Sequence, residues 1–152
     1  MIIEALDNLS LEKNNLIVIN NINDGFNNYL NEVIDYSDYS FKMAFDNYFS
    51  ILEKEFKCFG NSFIFDFYKE NLSNNSLDII KNNVEEEEYK IIEKIYNIAK
   101  ENNHFYKSSD IDILKILLKI SLKELYFVTF YFREITIWTN DNKKFVILKQ
   151  KK

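Results

Sequence analysis

The chain has 152 residues and a net charge of -5, with 47% hydrophobic, 16% aromatic and 28% charged residues. That length predicts one domain, residues 1–152, with material for a sizeable core. The acidic balance argues against a general nucleic-acid binder, which needs a basic face, and the single cysteine, Cys58, excludes an internal disulfide framework and a four-cysteine metal site.

A lone cysteine suits a reducing, cytoplasmic setting. The first residues carry early acids and no basic region ahead of an apolar run, so no signal peptide is expected. No apolar run is long enough to span a bilayer, and no membrane association is expected.

Along the chain, Ile2, Ile3, Leu6 and Leu9 stand at helical spacing and predict a first helix over residues 2–11. The apolar run at residues 16–19 reads either as a buried strand or as an irregular packed segment. Phe26, Tyr29, Leu30, Val33 and Ile34 recur at i, i+3, i+4, i+7 and i+8, which predicts one helical face. Ser37 or Asp38 can cap the next helix. On it Phe41, Ala44, Phe45, Tyr48, Phe49, Leu52, Phe56 and Phe59 form an aromatic stripe expected to be core, and Gly60 follows as a left-handed terminator.

Phe63, Phe65 and Phe67 alternate with their neighbours and predict a short strand. Residues 71–76 read as a polar loop, and residues 83–102 as one helix with Glu85, Glu86, Glu87 and Glu88 near its start, where the helix dipole favours acids. Ser109 and Asp112 can open a further helix that ends near Leu122. Aromatic and β-branched residues then dominate. Residues 135–139 and 145–148 flank Asn140, Asp141 and Asn142, a turn signal that predicts a hairpin. Residues 125–132 are a third strand candidate, either pairing separately or running on into Ile135 through a bulge. The expected fold is α+β, with N-terminal helices packed on a small C-terminal antiparallel sheet.

Few residues suggest chemistry. His104 is the only histidine, with no second His or Cys at ligand spacing. Cys58 has no base near it in sequence, and a free cysteine is commonly buried as a small apolar residue. Gly25 and Gly60 stand apart, so no phosphate-binding loop can be written. Glu88 with Lys90, and Asp110 and Asp112 with Lys115, have the residue types of a metal-dependent hydrolase or nuclease. Both sets fall at expected helix starts, where acids are favoured anyway. The same carboxylates, Glu85, Glu86, Glu87, Glu88, Asp110 and Asp112, also suit contact with a cationic protein. No catalytic residue and no cofactor or metal site is assigned.

The run SLKELYFVTFYF at residues 121–132 and TIWTN at residues 136–140 give a helix, a Glu-Leu-aromatic opening, an aromatic strand and a Trp-bearing strand that closes on Asn. This pattern resembles the C-terminal part of bacterial immunity proteins that accompany polymorphic toxins, including those of contact-dependent growth inhibition. Arg133 and Glu134 stand where such proteins usually have Pro, and Lys149 begins a basic tail in place of a more apolar strand end. The resemblance implies a cytoplasmic protein without catalysis that binds and blocks one toxin domain, with acidic charge suited to a nuclease. The rival expectations are the metal-dependent hydrolase built on Glu88, Asp110 and Asp112, and a phage-encoded inhibitor or regulatory binding module.

Overall fold

Among the described residues seven strands pair into one antiparallel sheet, and they come from the whole length of the chain. The computed structural model describes residues 3–7, 11, 13, 15–19, 21–139 and 143–151. The strands are β1 (Ile3–Ala5), β2 (Leu30–Asp35), β3 (Phe63–Asp66), β4 (Phe105–Ser108), β5 (Thr129–Phe132), β6 (Ile135–Thr139) and β7 (Lys144–Lys149), in the spatial order β1-β4-β3-β5-β6-β7-β2. Among the described residues the longer helices are α1 (Ile22–Asn28), α2 (Phe41–Cys58), α3 (Asn74–Asn83), α4 (Glu86–Ile98) and α5 (Ile111–Leu122). Helices and strands therefore interleave. The expected layout of N-terminal helices on a small C-terminal sheet is overturned, because four of the seven strands precede α5.

Two local expectations fail for one reason, that strand pairing outweighs helical spacing. Ile3, Glu4 and Ala5 pair with Ser108, Lys107 and Tyr106 instead of starting a helix. The helical face expected over residues 26–34 splits at Tyr29, whose backbone is extended at φ -132 and ψ 157. All six residues of β2 then pair with β7, from Leu30 opposite Lys149 to Asp35 opposite Lys144. Strand β4 carries no clear apolar alternation of its own and is held between β1 and β3.

Other boundaries move by capping. Ser40, not Ser37 or Asp38, caps α2 by accepting from the Met43 N–H, and Asp35 takes the Ser37 N–H instead. Ser73 caps α3, which occupies much of the expected polar loop. The helix expected over residues 83–102 forms as the shorter α4, which Glu85 caps at its start and Ala99 ends, and Val84, whose backbone is extended, separates it from α3. Asp110 rather than Ser109 caps α5, accepting from the Asp112 N–H at 2.9 Å. Gly60 follows α2 at φ +67, a conformation glycine adopts without the cost of a Cβ.

The C-terminal hairpin forms as expected, with Ile135 to Thr139 paired against Lys149 to Phe145. Its turn signal, Asn140, Asp141 and Asn142, lies outside the described residues. Strands β5 and β6 are separate, joined by a two-residue turn at Arg133 and Glu134. Glu134 takes φ +61 there, a left-handed position usually given to Gly or Asn. The unusual residue choice is why the hairpin is not visible as a turn signal.

Strand alternation sorts the sheet into two faces. On one, Phe63, Phe65, Tyr106, Phe130, Phe132, Ile137 and Phe145 meet the buried residues of the helices: Ala44, Tyr48, Leu52 and Phe56 from α2, Ile92 and Ile95 from α4, and most of α5. Each fully buried phenylalanine of this layer contributes about 1.5–3 kcal/mol. On the other face Ile64 and Tyr131 pack with Leu6, Leu11 and Leu16. There the Thr136 hydroxyl donates to the Ile17 carbonyl at 2.6 Å. Helix α1 sits beside them on β7, so closely that a methyl group at Gly25 would lie 2.7 Å from Leu148 Cδ1. The apolar run at residues 16–19 is thus an irregular packed strap rather than a strand.

Candidate functional site

The acidic residues singled out by sequence do not form one surface. Glu85 precedes α4, and Glu88 in its first turn accepts from the Glu85 N–H at 2.9 Å and from Lys119 Nζ at 2.7 Å. Burial raises the Glu88 carboxyl, but the Lys119 bond, the Glu85 N–H and the charges of Lys119 and Lys123 outweigh it and hold the carboxyl below its ordinary range. Glu88 is therefore a clasp between the start of α4 and the end of α5. Glu85, Glu86 and Glu87 are exposed.

Asp110 and Asp112 stand at the other end of α5. Lys119, which holds Glu88, is roughly 10 Å further along the helix axis than Asp112. The hydrolase triple of Glu88, Asp110 and Asp112 is not brought together. Among the described residues, no group of three or more His, Cys, Asp and Glu is placed to hold a metal ion.

His104 lies after α4, where Nε2 is paired with Glu70 and with the Glu101 carbonyl, and the ring lies 4.3 Å from that of Tyr68. Cys58 ends α2 and is exposed, contrary to the buried position expected of it. Tyr126 is half-buried, and its hydroxyl accepts the Tyr68 N–H and donates to the Tyr68 carbonyl. Trp138 is half-buried on the sheet.

The aromatic stripe divides into two. Ala44, Tyr48, Leu52 and Phe56 are core, whereas Phe41 is 41% exposed and Phe45 and Phe49 are partly buried beside it. Phe45 and Phe49 stack at 5.9 Å. Lys115 and Lys123 of this region lie over Phe49 and Phe41 at 5.2 and 5.4 Å, while Lys119 goes to Glu88. Two lysines, one on α5 and one at its C-terminal cap, thus cover two phenylalanines of α2, and this face is occupied by its own side chains.

An ionisable group passed over in the sequence lies inside the sheet. Asp66, at the end of β3, is buried and accepts from the Thr129 N–H at 2.8 Å and the Tyr131 hydroxyl at 3.3 Å. Burial pushes its carboxyl up to about 7, against the pull of those two hydrogen bonds. The position joins β3 to the start of β5. The alternating phenylalanines around it pointed to a strand but not to a carboxylate held in its interior.

One open surface lies at the β2 edge of the sheet. Strand β2 ends the strand order, and among the described residues it pairs with β7 only. Leu30 and Val33 are 53% and 42% exposed. At the start of β2 a groove of about 770 Å³ opens. Its floor is one row of the sheet, Ile135, Lys149 and Leu30, in register across β6, β7 and β2. Arg133, Glu134, Gln150 and Lys151 line its rim. Arg133 is the only arginine in the chain. Arg133 and the basic tail were visible in the sequence as departures from the immunity-protein pattern, and the fold brings the two departures to one place.

Among the described residues no helix is long and apolar enough to cross a membrane. No family model, curated protein or solved structure matches this chain.

Proposed function

We propose that this protein is a cytoplasmic immunity-type binding module that neutralises a cognate bacterial toxin domain by covering it, with no reaction of its own. The observation that carries the reading is the open edge of β2. Every second residue of this six-residue strand turns its backbone N–H and C=O away from β7, and Leu30 and Val33 on it are exposed. A sheet edge of this kind is a template for another chain, and proteins that do not use such an edge usually blunt or cover it. Glu32 and Asp35 on the same strand limit indiscriminate pairing and favour a particular partner. The exposed Glu85, Glu86 and Glu87 give the approaching toxin a second, acidic contact, and a nuclease or other basic domain would be steered by the net charge of -5.

The test is genetic and then biochemical. The gene immediately upstream is expected to encode a toxin. Co-expression with that product should restore growth and yield a stable complex, and Val33→Asp should weaken the complex far more than it lowers the melting temperature of the free protein, where the loss of strand preference costs about 1 kcal/mol at most. If the neighbouring product is not toxic, or is toxic and neither rescued nor bound, the immunity reading fails. A phage-encoded inhibitor would use the same edge, and the gene neighbourhood separates the two.

A further inference from the structure

From the groove at the head of β2 we infer that the partner is held there by an extended, acidic segment, which adds to the β2 edge and lays its carboxylates against Arg133, Lys149 and Lys151. This rests on the reading of the protein as a binding module and names the chemistry of its partner at that site.

Four features converge. The floor is apolar at both ends, Ile135 and Leu30, with the Lys149 side chain between them on the same sheet face. Among the described residues that line the groove, three cations face one acid, Glu134, in a protein whose net charge is -5. The local sign is thus opposite to that of the whole molecule, and it selects an anionic occupant. The chain uses lysine at every other basic position, yet it places its one arginine on the two-residue turn that overlooks this floor. A guanidinium matches a carboxylate with two parallel N–H donors, which an ammonium cannot do. Finally, Leu30 belongs both to the groove and to the open strand, so a segment paired with β2 runs directly into the cationic end.

The same chemistry argues for a peptide over a nucleic acid. The floor has no aromatic ring on which a base could stack. Glu134 would repel a continuous phosphate backbone, whereas an extended peptide spaces its side chains and meets the groove with alternate residues only.

The experiment uses the whole protein and a short fluorescein-labelled peptide that alternates Glu with Val. Counterparts carry Gln or Lys in place of Glu, and a labelled single-stranded oligonucleotide serves as the competing class. The acidic peptide should bind by fluorescence anisotropy and shift the amide resonances of Leu30, Ile135 and Lys149. Affinity should fall roughly tenfold or more in Arg133→Glu and also on raising salt to about 0.5 M. Lys151→Glu, beyond the end of β7, gives the same readout should the turn substitution disturb the hairpin. The inference is overturned if the Lys peptide binds as well as the Glu peptide, if the oligonucleotide binds in preference, or if both charge reversals leave peptide binding unchanged. A dimer dissolved by Arg133→Glu would also overturn it, since the occupant would then be a second copy. A toxin complex that survives both charge reversals sinks the acidic-segment inference and spares the immunity function. Absence of any toxin complex sinks the function, and the peptide titration still decides the groove.

Discussion

Asp66 is the side chain whose behaviour depends most on where the fold places it. In the unfolded chain its carboxyl titrates near the ordinary value, and in the folded protein near about 7. Between those limits the folded state holds a proton that the unfolded state has lost. The contribution is therefore fully present below the unfolded value, lost as pH rises through about 7, and level above it. A shift of this kind amounts to a few kcal/mol, on the order of 1.4 per unit. Asp66→Asn keeps a carbonyl oxygen for the Thr129 N–H and an amide to donate to the Tyr131 hydroxyl. The variant should melt higher than the parent above pH 7, with the advantage shrinking steadily towards acid. An unchanged difference across a thermal-melt series from acid to alkaline pH would contradict the burial account. Glu88 titrates in the opposite sense: its stabilisation is present above its ordinary range and fades as the medium is acidified through it.

Among the helices, α4 and α5 show how a pattern can be legible while its purpose is not. The acids at the start of α4 are where the helix dipole favours them, and their spacing alone places Glu88 three residues after Glu85. Only the packing of α5 shows that Glu88 is engaged by Lys119, so that one of the expected contact acids is a structural clasp. Glu88→Gln should cost about 1 kcal/mol at neutral pH by chemical denaturation, because the pair is only partly buried. Glu85, Glu86 and Glu87 replaced together by Gln should leave that stability nearly unchanged. Equal losses for both variants would mean that Glu88 has no separate structural role. The stripe on α2 makes the same point. Its period correctly indicated a helix, but a stripe with aromatics at both i+3 and i+4 is wider than one buried face. Phe41 and Phe45 therefore fall on its outer side.

Across the molecule, the sheet is covered unequally. Helices α2, α4 and α5 close one face, and the other is closed by a thin strap around residues 16–19 and by α1. The Thr136 hydroxyl is the described hydrogen bond that ties that strap to the centre of the sheet. Thr136→Val preserves the side-chain shape and leaves the Ile17 carbonyl without its donor, a loss of roughly 1–3 kcal/mol if the strap stays buried. Hydrogen exchange should then accelerate at the strap while β5, β6 and β7 keep their protection. Uniform acceleration throughout the sheet would show that strap and sheet open as one unit.

Much of this architecture can be read from local chemistry. The α2 helix, the aromatic strand β3, the central helix α5 and the β6–β7 hairpin all follow from side-chain period, capping residues and turn composition, which act within a few residues. Strands β1, β2 and β4 could not be read that way. Their residues pair with partners as distant as Leu30 and Lys149, and those partners supply the hydrogen bonds and buried neighbours that override helical spacing. The candidate groove belongs to the same class. Arg133, Lys149 and Leu30 each had a separate local reading, and they become one surface only because the last strand, β7, lies between β6 and an edge strand from the first quarter of the chain. Local periodicity specifies elements, whereas long-range pairing decides which side chains share a face.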